Sequence, residues 1–346
     1  MQNLGTIDNT YTILSLIDVF KIYGIYSVRH NQTQALHLIE VFKDNIPANL
    51  MNIMNNLIGI NHPNITHIIG HGNGPIALNN EPQVNMPYIV YENVSHSNLY
   101  EYISIQHFTE RQAKWIFKKI LEGVQALHNA NICHRDLEVH NILFDDNYNP
   151  KIIGFHSSCI NMNNLNRRTG RLPYIAPEIL LNQPYNGITA DIFSLGQILF
   201  NLVTGKKGGF NAANDNDPYY TFIIKHQIAH YWKLLDSHHL NVSQDFKNLF
   251  IGMVDPNPAQ RPTIADILKD PWMQEINDLN QNEINVLENQ VINEFQIREQ
   301  QIQQNQQNQQ NQQNQQNQQN QQNQQNQQNQ QNQQNQQNQQ NQQNNN

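Results

Sequence analysis

Between Asn131 and Ser158 the chain reads NICHRDLEVHNILFDDNYNPKIIGFHSS, and the groups there able to do chemistry are carboxylates and a carboxamide. Asp136, Glu138 and Asn141 stand close together, and the stretch closes on Gly154-Phe155-His156. Carboxylate oxygens accept protons and, with carboxamide oxygens, hold hard divalent cations. Softer metal chemistry has no support. Cys133 and Cys159 are the only cysteines, so there is neither a zinc spacing nor a disulfide framework. The pair His238-His239 and the scattered histidines show no ligand-like spacing with Cys or acids and read as surface residues.

The elements that must position these groups change character along the chain. YTILSLI, ALHLIEVF and PYIVYENV are apolar and β-branched, as strands are, and lie in the first ~90 residues. Between them NLMNIMNNLIGI has helical spacing. From Phe108 helices dominate. Thr109 is a plausible N-cap for a helix with an apolar stripe through Ala113, Phe117, Ile120, Leu121, Val124 and Leu127. Strands first and helices after predict an α+β or two-lobed fold. Near the end, Ile284, Leu287, Val291 and Phe295 share one helical face, a short seam open to self-association or to docking. From Gln301 to Asn346 every residue except Ile302 is Gln or Asn, a composition that predicts disorder.

Composition narrows the setting. The net charge is −8, and −5 of it lies beyond Met273, where six acids face one base. No basic field for nucleic acid remains. The first residues lack the basic and apolar regions of a signal peptide, and no apolar run suggests the ~18 residues of a membrane span. The expected setting is intracellular, cytoplasmic or nuclear, with no membrane.

At His134-Arg135-Asp136 the sequence resembles eukaryotic protein kinases of the Ser/Thr type, closest to the calcium/calmodulin-dependent and Snf1-like branch. The likeness covers 11–273 and rests on an ordered set: HPNI from His62, HRDLEVHNIL, YIAPEIL with Ala176-Pro177-Glu178, ADIFSLGQILFNLVTG, and DPNPAQRPTIADILKDPW. It implies a bilobal kinase fold, with residues 1–10 an extension, 274–300 a helical or coiled-coil segment and 301–346 a disordered tail. It also implies that Glu178 and Arg261 form a buried ion pair and that Asp191 braces the catalytic loop.

The resemblance assigns the site position by position, and many positions depart from the family. The three glycines of the phosphate loop are Asp18, Phe20 and Tyr23, whose side chains block the backbone approach that glycine permits. Glu40 replaces the strand lysine, a swing of roughly 8 kcal/mol for unit charges ~4 Å apart at an effective dielectric of ~20. Ile53 replaces the helix glutamate that would pair with that lysine, Glu138 the catalytic-loop lysine, and Gly154 the magnesium aspartate. Asp136, the proton acceptor, and Asn141, a metal ligand, remain. Leu38 stands at the small residue beside adenine and, with Ile25 and Leu143, is expected to fill that slot. Arg171 is expected to pair with Glu138 or Asp136 and plug the substrate position. Arg167 falls where an activating threonine would, leaving Thr169, Ser157 and Ser158 phosphorylatable and Arg135 a phosphate receptor.

On these replacements the expectation is an inactive kinase, a pseudokinase. It would act without a cofactor, as a scaffold or allosteric partner of other proteins, active kinases or their substrates. Weak or metal-independent ATP binding stays open, and self-association would run through 276–300 or the tail. Two alternatives stand beside it. One is a divergent Ser/Thr kinase transferring phosphate with Asp136 and Asn141, Lys21 replacing the strand lysine. The other is an assembly-prone protein driven by the Gln/Asn tract.

Overall fold

The computed structural model describes residues 4–78, 82–94, 96–160, 162–205, 209–236 and 241–343. The His238-His239 pair lies outside them. The chain divides into two units, Met1–Phe295 and Gln296–Asn346.

The first unit opens with six strands: β1 (Gly5–Ile7), β2 (Tyr11–Val19), β3 (Tyr23–His30), β4 (Leu36–Phe42), β5 (Ile68–Leu78) and β6 (Val84–Glu92). They close antiparallel into a barrel in the order β1-β2-β3-β4-β6-β5. Closure depends on β1, which lies in the residues set apart as an extension and pairs with both β2 and β5. Asp8, just past β1, accepts a 2.8 Å hydrogen bond from the Tyr88 hydroxyl on β6. Ile7, Ile13, Val28, Ile39, Val41, Ile76, Tyr88 and Val90 fill the interior. Helix α1 (Ala48–Leu57) lies between β4 and β5 in the chain and buries Leu50, Ile53, Met54 and Leu57.

Helices follow: α2 (Leu99–Ile105), α3 (Glu110–Asn129), α4 (Pro177–Leu180), α5 (Gly187–Thr204), α6 (Tyr220–Ile224), α7 (Ile228–Asp236), α8 (Gln244–Met253), α9 (Ile264–Leu268), α10 (Pro271–Asn277) and α11 (Gln281–Gln343). A hairpin of β7 (Ile142–Phe144) and β8 (Pro150–Ile152) sits between α3 and α4 in sequence. Thr109 caps α3 in a capping box with Gln112, and all six stripe residues of α3 are fully buried. Helix α5 has the length and mean hydropathy, 1.3, of a membrane span, contrary to the expectation that no segment does. It is 83% buried inside the protein, as the central helix of a folded domain is.

The seam from Ile284 to Phe295 docks within its own unit through its last residue. Phe295 is fully buried, with ring centroids 4.5 Å from Phe144, 4.7 Å from Tyr102, 5.3 Å from Phe108 and 5.5 Å from Tyr148. Packing this ring among four aromatic neighbours removes its apolar surface from water. In the second unit the Gln/Asn tract is helical through Gln343. Gln ranks with the good helix formers, and extending an existing helix avoids the cost of nucleation.

Phe295→Ala is expected to cost about 3–5 kcal/mol by transfer loss and cavity formation. Urea unfolding followed by far-UV circular dichroism checks this: the midpoint should fall while the slope is unchanged.

Candidate active site

The catalytic loop hangs from one buried carboxylate. Asp191, fully buried on α5, accepts 2.8 Å hydrogen bonds from the backbone N–H groups of both His134 and Arg135, and lies 2.9 Å from His128 Nε2. These bonds hold Arg135 in a left-handed conformation, φ 66°, which ordinary residues adopt only when the surroundings demand it. The turn they fix presents Asp136. Asn141 Nδ2 donates to the Asp136 carbonyl at 2.7 Å, so the two positions five apart in sequence are rigidly coupled. Burial, with Glu138 adding like charge, pushes the Asp136 carboxyl up to about 6, against the opposing pull of Asn141, Arg171 and His156.

Glu40 is not an isolated charge. Its side chain is nearly buried on β4, with Oε2 accepting from the Tyr91 hydroxyl at 3.0 Å and Oε1 lying 3.2 Å from His156 Nε2. Burial and Glu40 hold the Tyr91 phenol well above its ordinary range. The His156 ring in turn stacks on Tyr23 at 4.4 Å, and Tyr23 stacks on Phe20 at 4.6 Å. Two of the three replaced glycine positions therefore build a column of rings over His156. Asp18 accepts from the Val19 N–H and stays exposed, as does Lys21, the cation proposed to substitute for the strand lysine. Ile53 is buried on α1. Ile25, Leu38 and Leu143 are each half-buried, with Leu38 between Ser27 and Tyr91 in the sheet register.

Gly154 has φ 84° and ψ 48°, a left-handed conformation suited to glycine. A Cβ built there meets the Asn141 carboxamide at 2.8 Å, from both Cγ and Oδ1. The space that a side chain at 154 would need is taken by Asn141. A metal held by protein ligands does not fit this donor set: Asn141 is the one family ligand left, and no cluster of His, Cys, Asp or Glu suited to a metal occurs among the described residues.

At the rim, Arg171 Nε lies 3.2 Å from Glu138 Oε1 and Nη1 3.3 Å from His140 Nδ1, with the Arg171 side chain 60% exposed. It bridges the mouth from the solvent side. Glu138 is buried, and its Oε2 makes no hydrogen bond, although His140 Nδ1 is 3.3 Å away. Arg135 donates to the Tyr185 hydroxyl and the Arg167 carbonyl, both at 2.9 Å. Thr169 donates to the Arg135 carbonyl and Ser158, buried, to the His134 carbonyl. Below them Arg261 pairs with Glu178 through two hydrogen bonds of 2.7 and 2.8 Å, both groups buried.

Sequence reasoning passed over His156 and Tyr91 as the partners of Glu40. A signal existed for the first: His156 takes the last place of the family's Asp-Phe-Gly. Tyr91 carried none, because its place beside Glu40 is decided by the β4–β6 register.

The protein kinase domain model matches residues 21–273, and the chain belongs to that family. It is similar to the probable serine/threonine-protein kinase HSL1 of Saccharomyces cerevisiae, 33% identical over 201 residues, 57% of this chain and 13% of that protein. It is also similar to serine/threonine-protein kinase kin-29 of Caenorhabditis elegans, 35% identical over 58% of this chain and 23% of the relative. Serine/threonine-protein kinase SRK2H of Arabidopsis thaliana is 28% identical over 71% of this chain and 66% of the relative. The chain thus spans from about an eighth to about two thirds of these relatives' lengths. The family match and the kinase names of these relatives overturn the expectation of a non-enzymatic scaffold. They favour the alternative reading, a protein kinase, because the match runs from residue 21 to residue 273 across both the strands and the helices.

Two outcomes test this geometry. Gly154→Asp, the change that would restore the family's ligand, should destabilise the protein by about 1–2 kcal/mol, since it forces a left-handed aspartate against Asn141. Differential scanning calorimetry reads the loss. Glu138→Gln should move the Asp136 titration below about 6 by removing the neighbouring like charge, which a carboxyl-resolved NMR titration would follow.

Proposed function

We propose that this chain is a divergent Ser/Thr protein kinase that transfers the terminal phosphoryl group of ATP to a protein hydroxyl. The observation that carries the reading is Asp136 on a catalytic loop braced by Asp191 and coupled to Asn141. Phosphoryl transfer asks a protein mainly for alignment and charge stabilisation. Asp136 accepts the proton of the attacking hydroxyl. With its carboxyl near 6, it is in the base form at neutral pH and close enough to that pH to work as a proton acceptor. Magnesium arrives with the nucleotide as part of the substrate, and no step runs through a metal held by the protein. His156 Nε2 lies 3.2 Å from Glu40 Oε1, and the ring is within electrostatic reach of Asp136. The order of HPNI, YIAPEIL and DPNPAQRP supports a place in the calcium/calmodulin-dependent and Snf1-like branch. The replaced lysines and the side chains in the phosphate loop set the expected turnover low.

The test is phosphate transfer from labelled MgATP to a Ser/Thr peptide library by the full chain and by its Asp136→Ala variant. Loss of the base should cost about 10²–10⁴-fold. Asp136 has a raised pKa in the folded protein, so its active, ionised form is lost as pH falls. The rate should climb about tenfold per pH unit below ~6 and level off above it. Transfer that is absent, or equal in Asp136→Ala, would overturn the reading.

A further inference from the structure

Cys133 and Cys159, 26 residues apart, meet as an isolated antiparallel bridge. Each N–H donates to the other's carbonyl at 3.1 Å, and the two sulfurs lie 3.2 Å apart. Antiparallel neighbours that exchange both hydrogen bonds keep their Cα atoms about 5.5 Å apart, inside the ~4.4–6.8 Å that a disulfide spans. Only about 1 Å of sulfur approach separates this contact from an S–S bond of ~2.0 Å. The first residue of α5 backs the pair: any side chain at Gly187 would collide with the Cys133 sulfur, so glycine there leaves that sulfur its place beside Cys159.

The two thiols are unlike. Cys133 is fully buried, whereas Cys159 is partly exposed. The Cys133 S–H, aided by Arg135, holds the Cys159 thiol below its ordinary range. Hydrogen bonding to Cys159 and burial push Cys133 up. An accessible thiolate beside a buried resolving thiol is the arrangement that favours reversible over terminal oxidation.

We propose that Cys133 and Cys159 form a thiol-modification site for a hydroperoxide, closing reversibly into a disulfide between the catalytic loop and the segment that follows Gly154. The Cys159 thiolate attacks the terminal peroxide oxygen. The O–O bond breaks, the alcohol or water leaves with a proton, and Cys159 becomes a sulfenic acid. The Cys133 sulfur, giving up its proton, then displaces hydroxide as water and forms the S–S bond. Two thiols lose two electrons, and one hydroperoxide is reduced. The link would sit next to His134-Arg135-Asp136 and replace the Cys159 thiol that Arg135 faces. It therefore acts on the loop that presents Asp136, yet its chemistry can be read without any activity.

The experiment treats the native full chain with hydrogen peroxide, blocks remaining thiols by alkylation, and maps peptides by mass spectrometry before and after dithiothreitol. Expected is a monomer lighter by two hydrogens, with a 133–159 cross-linked peptide that dithiothreitol removes and that is absent in Cys159→Ser. The oxidised monomer should also melt higher than the reduced one, because the link restricts the unfolded chain. Four results would overturn the proposal: both thiols still alkylated, Cys159 carried to sulfinic acid beside an intact Cys133, a link formed only between chains, or equal cross-linking in the urea-unfolded chain.

Discussion

Everything at the candidate site depends on Asp191. A carboxylate with no solvent exposure is costly to bury unless its oxygens are satisfied, and here two backbone N–H groups and His128 satisfy them. The bonds reach across from α5 to a loop 56 and 57 positions earlier in the chain and hold Arg135 in a conformation it would not adopt alone. From that turn follow the placement of Asp136, the bond from Asn141, and the seat of Arg135 on Tyr185. The Arg261–Glu178 pair locks the same helix from the other side, through a further bond from Arg261 to the Thr189 carbonyl.

Around that scaffold the charges of the family have moved rather than vanished. Glu40 places a carboxylate where a lysine is usual, and the structure meets it with His156 and Tyr91. Gly154 gives up a ligand, and the Asn141 carboxamide occupies the room that a side chain there would need. Glu138 reverses another lysine and is met at the rim by Arg171. Each replacement taken alone reads as a loss. Together they leave Glu40 and Glu138 each facing a donor or a cation, consistent with a site that still holds one geometry.

What could be read along the chain were local signals: the strand runs of the barrel, the capping box and stripe of α3, and the ordered motifs that predicted the kinase domain. The buried pair of Glu178 and Arg261 and the bracing role of Asp191 were legible through those motifs. The residues before Tyr11 looked like an extension because three residues of strand carry no periodicity; only the pairing of β1 with β5 shows that they close the barrel. The apolar seam from Ile284 was equally readable, but its destination among Tyr102, Phe108, Phe144 and Tyr148 was not.

The sequence by itself determined the family, the survivors Asp136 and Asn141, and the identity of every replaced group, since each is a matter of residue type at a motif position. Tertiary structure alone decided which replaced groups answer one another. Glu40 and His156 are 116 positions apart, Tyr91 joins them through a sheet register, and Cys133 meets Cys159 through a bridge between two irregular segments. No helical or strand period links such positions. Their proximity is set by the closure of the barrel, the fit of α5 beneath the loop and the burial of Asp191, which are properties of the packed chain and not of any stretch of it.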